Sequence, residues 1–277
     1  MQYVEMDNVA IAGMTTDWHL GAGNADIDGI ERFLNKMKKK NMPWIHGGDL
    51  LEAILPKDRR FSVDEQPMSL RAAKAEALSL LKIASKTCIG IIEGNHEETV
   101  GKDTGSVTVE LAAALGINPL ASRSFVRFGH TLAHFCHYQP GVTRSKVGPI
   151  ERIQVNTTLS LRNAFRKIDA HVCGMGHIHR GLVSAPAFEQ KFTCTKNREI
   201  KEVYRSDDPK WVFSCPSMYK VYKKGPVSGY AEAMGVPPTT LGWMELHFNL
   251  EEPGLVKIDQ YDQNGDLKYE YLPTFCE

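Results

Sequence analysis

An α/β fold follows from two features of this 277-residue chain. Short apolar segments ending in Gly, Asp, Asn or His recur through its first two thirds: VAIAGMTTDWH, PWIHGGD, TCIGIIEGNH, TLAHFCH and AHVCGMGHIH. Segments with helical spacing of apolar residues lie between them. Buried strands joined by amphipathic helices form a sheet whose strand-end polar residues gather along one rim, where function is expected.

The elements follow in order. Ile27 to Lys40 carries Ile30, Phe33, Leu34 and Met37 at three- and four-residue spacing, and Met68 to Lys86 carries Leu70, Ala73, Ala77, Leu81 and Ala84 likewise. Ser106 to Leu115, with Gly116 as a cap, and Thr157 to Lys167 are shorter helix candidates. Pro56 to Pro67 is polar, bounded by prolines and placed after an acidic strand end, which suits a loop over a site or a solvated connection. Beyond Gly181 the pattern loosens into a charged region, after which WVFSCPSMYKVYKK and LGWMELHFNL read as strands. With no internal repeat or low-complexity linker, one domain over 1–277 is expected, with 185–277 as its decorated C-terminal part.

Composition narrows the function. Hydrophobic residues make up 42% of the chain, enough for a sizeable core. Lys plus Arg and Asp plus Glu both number 33, so no global field steers the chain onto nucleic acid, although local clusters at Lys36 to Lys40 and Lys57 to Arg60 could touch a phosphate backbone. Lys-rich helix ends are more often solvated faces. The six cysteines, at 88, 136, 173, 194, 215 and 276, form no C-x-x-C pair and read as reduced thiols. Glu5 and Asp7 stand where a secretory signal would be basic, and no run of 18 apolar residues occurs. A cytoplasmic protein without membrane contact is the expectation.

The strand ends carry the chemistry. TTDWHLG brings Asp17 and His19, HGGDLLE brings Asp49, EGNHEE brings Asn95 and His96, HFCHYQ brings His134 and His137, and GMGHIHRG brings His177 and His179. In extended backbone, residues one apart point the same way, so Asp17 with His19 and His177 with His179 could each aim into one small volume. Each piece alone is an ordinary turn or a core histidine. Together they supply mixed oxygen and nitrogen donors, a set suited to Mn, Fe, Zn or Ni.

In this order, D-x-H, G-D-x-x-[DE], G-N-H-[DE], a lone His and G-H-x-H resemble the calcineurin-like metallophosphoesterases, here over residues 17 to 179. Five blocks in the right order are far more specific than any one. After Gly181, PSMYKVYKKGPVSGYAEAMG more weakly resembles the tail of small bacterial and bacteriophage members. The resemblance implies a four-layer α/β sandwich of two mixed β-sheets flanked by helices. It also implies two divalent metal ions, Mn first and Fe, Zn or Ni as alternatives. Asp17, His19 and His179 would hold one, Asn95, His137 and His177 the other, and Asp49 would bridge them. His96 would stand beside the substrate, and Glu52 or Glu97 would orient a ligand histidine. Where family members usually have Gly after the lone histidine, this chain has Tyr138, which leaves His134 as a rival to His137.

The implied reaction is hydrolysis of a phosphoester by a hydroxide held between the two ions. A bound metal lowers the pKa of its water from 15.7 toward roughly 7, and an ion pair about 3.5–4 Å apart clamps the attacking and leaving oxygens. A phosphodiesterase or nuclease, with DNA or RNA as substrate, is the first reading. A protein or small-molecule phosphomonoesterase is the second, and a noncatalytic binding module on the same fold the third. Composition does not fix the oligomeric state.

Overall fold

The computed structural model describes residues 2–58, 61–142, 149–194, 200–205, 209–222 and 240–276. Arg59 and Arg60 of the basic cluster, and the tail from 223 to 239, lie outside the described residues, as do the side chains of Cys194 and Cys276. Cys88, Cys136, Cys173 and Cys215 are free thiols.

The strands are β1 (Gln2–Met6), β2 (Ile11–Thr15), β3 (Trp44–His46), β4 (Cys88–Ile92), β5 (Pro119–Leu120), β6 (Arg123–Phe128), β7 (Thr131–Cys136) and β8 (Val172–Met175). They continue as β9 (Leu182–Ser184), β10 (Ala187–Cys194), β11 (Ile200–Arg205), β12 (Trp211–Ser214), β13 (Gly242–Phe248), β14 (Leu255–Asp262), β15 (Leu267–Tyr271) and β16 (Thr274–Cys276). The α-helices are α1 (Ile27–Lys40), α2 (Leu70–Leu81), α3 (Asn95–Thr104), α4 (Val107–Leu115) and α5 (Ile150–Phe165).

Two mixed sheets form the body. One has the order β15-β14-β13-β2-β3-β4-β5, parallel from β2 to β5 and antiparallel from β2 out to β15. The other has the order β1-β6-β7-β8-β12-β9, in which β7, β8 and β12 run parallel. A third, three-stranded sheet, β11-β10-β16, occupies part of the region that the sequence suggested was irregular.

Side-chain alternation along the strands divides the core into layers. Met14, Ile45, Phe135, Val172, Phe213, Met244 and Leu246 pack between the sheets. On the outer face of the seven-stranded sheet, Trp44 and Trp243 meet Ile30, Phe33 and Met37 of α1, Ala77 and Leu81 of α2, and Leu111 of α4. On the outer face of the six-stranded sheet, Cys136, Cys173 and Val212 meet Leu161 and Phe165 of α5. The result is helix, sheet, sheet, helix, the expected four-layer α/β sandwich. All four tryptophans are buried, and truncating one of these large apolar side chains to Ala costs about 3–5 kcal/mol.

Capping explains where helices stop. Asn41 ends α1 in the left-handed conformation at φ 47°, and Lys38, Lys39 and Lys40 complement the dipole of its last turn. Ser69 and Ser106 cap α2 and α4 by accepting from Ala72 N–H and Val109 N–H. Gly116 closes α4 at φ 66°, as expected. Two helices differ from the sequence reading. α5 begins at Ile150 rather than Thr157, because Ile150, Val155 and Leu159 face solvent and blur the apolar stripe. α3 was not expected at all, since NHEETVGKDT buries only Glu97 and Val100.

Candidate metal centre

Every chemistry-bearing segment leaves the C-terminal end of a strand in the parallel part of a sheet. Asp17 and His19 follow β2, Asp49 follows β3, and Asn95 and His96 follow β4. His137 follows β7, and His177 and His179 follow β8, in the other sheet. The two rims meet, so residues far apart in sequence converge.

The backbone there is not extended. Asp17, His19, Asp49, His177 and His179 all have positive φ, from 49° to 67°. This corrects the local reasoning for D-x-H and H-x-H: the pairs converge through left-handed turns, one of them closed by Ile178 N–H donating to Gly176 O at 2.8 Å. Left-handed backbone at non-Gly residues is costly, and here it is concentrated at five of the candidate ligand positions. The 17–20 and 48–51 loops hold each other through Asp17 N–H to Gly48 O (2.9 Å), His19 N–H to Asp49 O (3.1 Å) and Leu20 N–H to Leu50 O (2.9 Å).

The motif glycines allow this close approach. A Cβ on Gly94 would lie 2.1 Å from Asp49 N and 2.2 Å from Asp49 Oδ1. One on Gly176 would lie 2.1 Å from Thr16 Oγ1 and 2.9 Å from Asp17 Oδ2.

Donor atoms fall into three overlapping groups: Asp17, His19 and His179; Asp49, His137 and His177; and His19, Asp49 and His96. His179 Nε2 is 3.1 Å from Asp17 Oδ1 and 3.3 Å from His19 Nε2. His137 Nε2 is 3.0 Å from Asp49 Oδ2 and 3.1 Å from Asn95 Oδ1. His177 and His179 therefore join different groups, and Asp49 reaches both sides, since His19 Nε2 is 3.9 Å from its Oδ2. His134 points away from the cluster, with its ring against Phe125 and Phe165 on the α5 side. Of the two rivals, His137 is the one at the site.

Outer contacts orient the rings. His19 pairs through Nδ1 with Glu52 Oε2 at 2.7 Å, and His137 Nδ1 lies 2.9 Å from Gly47 O, so in each ring Nε2 is the nitrogen aimed inward. Glu52 thus orients His19 as expected. Glu97 instead ties loops together, accepting from Leu51 N–H (2.7 Å) and Gly94 N–H (3.0 Å). His96 donates from Nδ1 to Glu52 O, and its backbone N–H donates to Asp49 Oδ1 at 3.0 Å.

The electrostatics suit a cation. Asp17 and Asp49 are buried, and among the described residues their ion-pair partners are imidazoles only, never Lys or Arg. Burial favours the neutral form of both carboxyls, yet neighbouring imidazoles, His179 for Asp17 and His137 for Asp49, hold them well below the usual range. Burial likewise works against charge on His19 and His137, but Glu52 raises His19 to about 9 and Asp49 raises His137 to about 10. Without metal, protons on the imidazoles offset the buried carboxylates. Ligand bonds of about 2.0–2.2 Å put donors about 3–4 Å apart around one ion, the spacing seen here, so the donor set fits divalent metal.

Sequence reasoning missed three neighbours. The Tyr219 ring lies 5.0 Å from His19 and 5.9 Å from His179, and Tyr138, at the departure from the family pattern, lies 5.1 Å from His177. Thr16 donates its hydroxyl to Asp17 Oδ2 at 2.8 Å. Only adjacency to a motif could have flagged Thr16 and Tyr138, and nothing local marks Tyr219. Lys36, from the basic cluster, is an ion-pair partner of Glu245 (2.5 Å) and lies 3.4 Å over the Tyr261 ring.

No family model and no curated protein matches the sequence. Solved structures similar to the chain include Vps29 complexed with zinc from Entamoeba histolytica, at 13% identity and TM-score 0.44, covering 95% of this chain and 98% of that one. The phosphoesterase YfcE from E. coli is similar at 12% identity and TM-score 0.44, over 95% and 98% of the two chains. A metallophosphoesterase from Sphaerobacter thermophilus is similar at 11% and 0.38, over 97% and 90%. These likenesses are distant, and the site stands on its own geometry. Among the described residues no helix is long and apolar enough to cross a membrane.

Proposed function

We propose that the chain is a dinuclear-metal-dependent phosphoesterase, acting first on phosphodiesters. The observation that carries this reading is the meeting of two donor groups at Asp49, with His96 at their edge. Asp17, His19 and His179 would hold one ion, Asn95, His137 and His177 the other, and Asp49 would touch both. Mn is the first candidate for such a set, with Fe, Zn and Ni also suited.

Bound divalent metal supplies Lewis-acid polarisation of the phosphoryl oxygens and a nucleophile at neutral pH. The chain's own residues do the rest. Buried Asp49 keeps negative charge between the two donor groups. Asn95 offers a neutral oxygen, which leaves the centre more attractive to an anion than a third carboxylate would. His96, anchored through Nδ1 on Glu52 O, presents Nε2 to the donor cluster, 4.0 Å from Asp49 Oδ2, and would give a proton from that nitrogen to the leaving oxygen. General acid help of this kind is worth about 100- to 10,000-fold.

A scaffold for partner binding would need neither His96 nor a buried bridging carboxylate, and this favours catalysis. Metal analysis followed by a bis(p-nitrophenyl) phosphate assay tests the reading. His96→Ala should keep its metal and lose turnover by about 100-fold or more. A parent-like rate in that variant would remove His96 from the mechanism, and a parent protein that binds metal but turns over no phosphoester would remove the reading itself.

A further inference from the structure

Beside His96 lies a cavity of about 390 Å³, within the range of small-molecule sites. One wall is the segment after the Asp49 loop, with Ile54 and Leu55; the other is a face of α3 that carries His96, Thr99 and Lys102 at three-residue spacing. The first wall is fastened in place. Ala53 is held at φ 46°, and the buried Gln66 side chain accepts from Ile54 N–H at 2.9 Å. Such bracing preorganises a surface at a cost in backbone strain.

Two lysines and two aspartates line the cavity, Lys57, Lys102, Asp58 and Asp103, but they are not paired alike. Lys57 pairs with Asp103 at 2.6 Å, and Asp58 is itself engaged, whereas Lys102 has no ion pair among the described residues. Six helical residues put Lys102 about 9 Å beyond His96 along the axis. A group leaving past His96 would therefore meet an apolar wall first and a free ammonium next.

We propose that this cavity is the leaving-group subsite and takes a nucleotide. The nucleoside would pack on Ile54 and Leu55, and its next phosphate would lie against Lys102. This inference rests on the phosphoesterase reading and adds its substrate class: an ester whose leaving group carries a second phosphate one unit away. A side chain of a phosphoprotein offers the apolar body without that charge.

Binding tests the subsite apart from turnover. Isothermal titration of thymidine 3′,5′-bisphosphate should show a Kd raised at least fivefold by Lys102→Ala, raised further by Lys102→Glu, and restored to within about twofold by Lys102→Arg. Oligothymidylate binding should lose about 0.7 from its log–log salt slope in Lys102→Ala, the value of one phosphate contact on a single strand. Lys102 also sits in the last turn of α3, where a purely structural role would shift Tm and leave both binding readouts unchanged. Parent-like binding in Lys102→Ala would overturn the subsite while turnover of bis(p-nitrophenyl) phosphate by the parent left the enzyme reading standing. Lys102-dependent binding with no phosphoester turnover by the metal-loaded parent would remove the enzyme reading, and the leaving-group assignment with it.

Discussion

His19 Nε2 and His179 Nε2 face each other at 3.3 Å, although 160 residues separate them in the chain. Two imidazole nitrogens at that distance share at most one proton well, and both also approach Asp17 Oδ1, at 3.8 and 3.1 Å. A cation among the three satisfies all of them at once. Asp17→Asn or His179→Ala should therefore lower bound metal from two ions per chain to one, as counted by inductively coupled plasma mass spectrometry. Full occupancy in both variants would place the ions elsewhere.

Asp49 has the larger expected effect. It lies between both donor groups, and its Oδ1 also accepts from His96 N–H. Asp49→Asn should remove metal and activity together, with fewer than one ion per chain. Two ions retained at parent affinity would show that no bridging carboxylate is needed.

The fourth block separates two histidines by face. His134 lies against Phe125 and Phe165, its Nδ1 has no hydrogen-bond partner among the described residues, and burial lowers its pKa to about 4. His134→Ala should keep full metal content, whereas His137→Ala should lose one ion. The opposite result would transfer the role to His134.

Protons compete with metal. His19 at about 9 and His137 at about 10 are both protonated at pH 7 in the metal-free protein, so binding must release both protons. Apparent metal affinity should rise by up to about 10-fold per pH unit for each ion, about 100-fold for loading both, between pH 6 and 8, and level off above pH 9 to 10. The linkage to stability runs the other way. Histidines with raised pKa stabilise the metal-free fold fully below their unfolded value near 6.5, and that stabilisation is lost as pH rises through 9 to 10. Tm of the metal-free protein should fall progressively from about pH 6.5 to 10 while that of the loaded protein holds. A flat affinity profile would contradict the proton count.

Much of this site can be read in the sequence because each motif glycine, carboxylate and imidazole is local to one strand end. D-x-H and H-x-H identify donors whatever backbone carries them, so Asp17, His19, His177 and His179 stand out even though the extended geometry expected for them is absent. Contacts made across the fold leave no such mark. Tyr219 reaches His19 and His179 only because the chain after β12 crosses to β2, where Met218 N–H donates to Asp17 O. Among the elements, α1 declares itself through Ile30, Phe33, Leu34 and Met37, while polar α3 is built around its N-terminal cap and hides from periodicity. The β14–β15 hairpin carries a local turn signal, Asn264-Gly265 between its two strands.

Close approach at Gly94 gives a structural test. Gly94→Ala would drive a Cβ into Asp49 backbone and side chain, so the loop must move. We expect a loss of about 1–3 kcal/mol in stability, read from denaturant unfolding, together with weaker metal binding. A variant as stable and as metal-loaded as the parent would show that the loops are free to part.

Anomalous diffraction from Mn-loaded crystals measures the central claim most directly. Two peaks are predicted, one among Asp17, His19 and His179 and one among Asn95, His137 and His177, with Asp49 in contact with both. A single peak remote from Asp49, or none at full Mn saturation, would contradict the account.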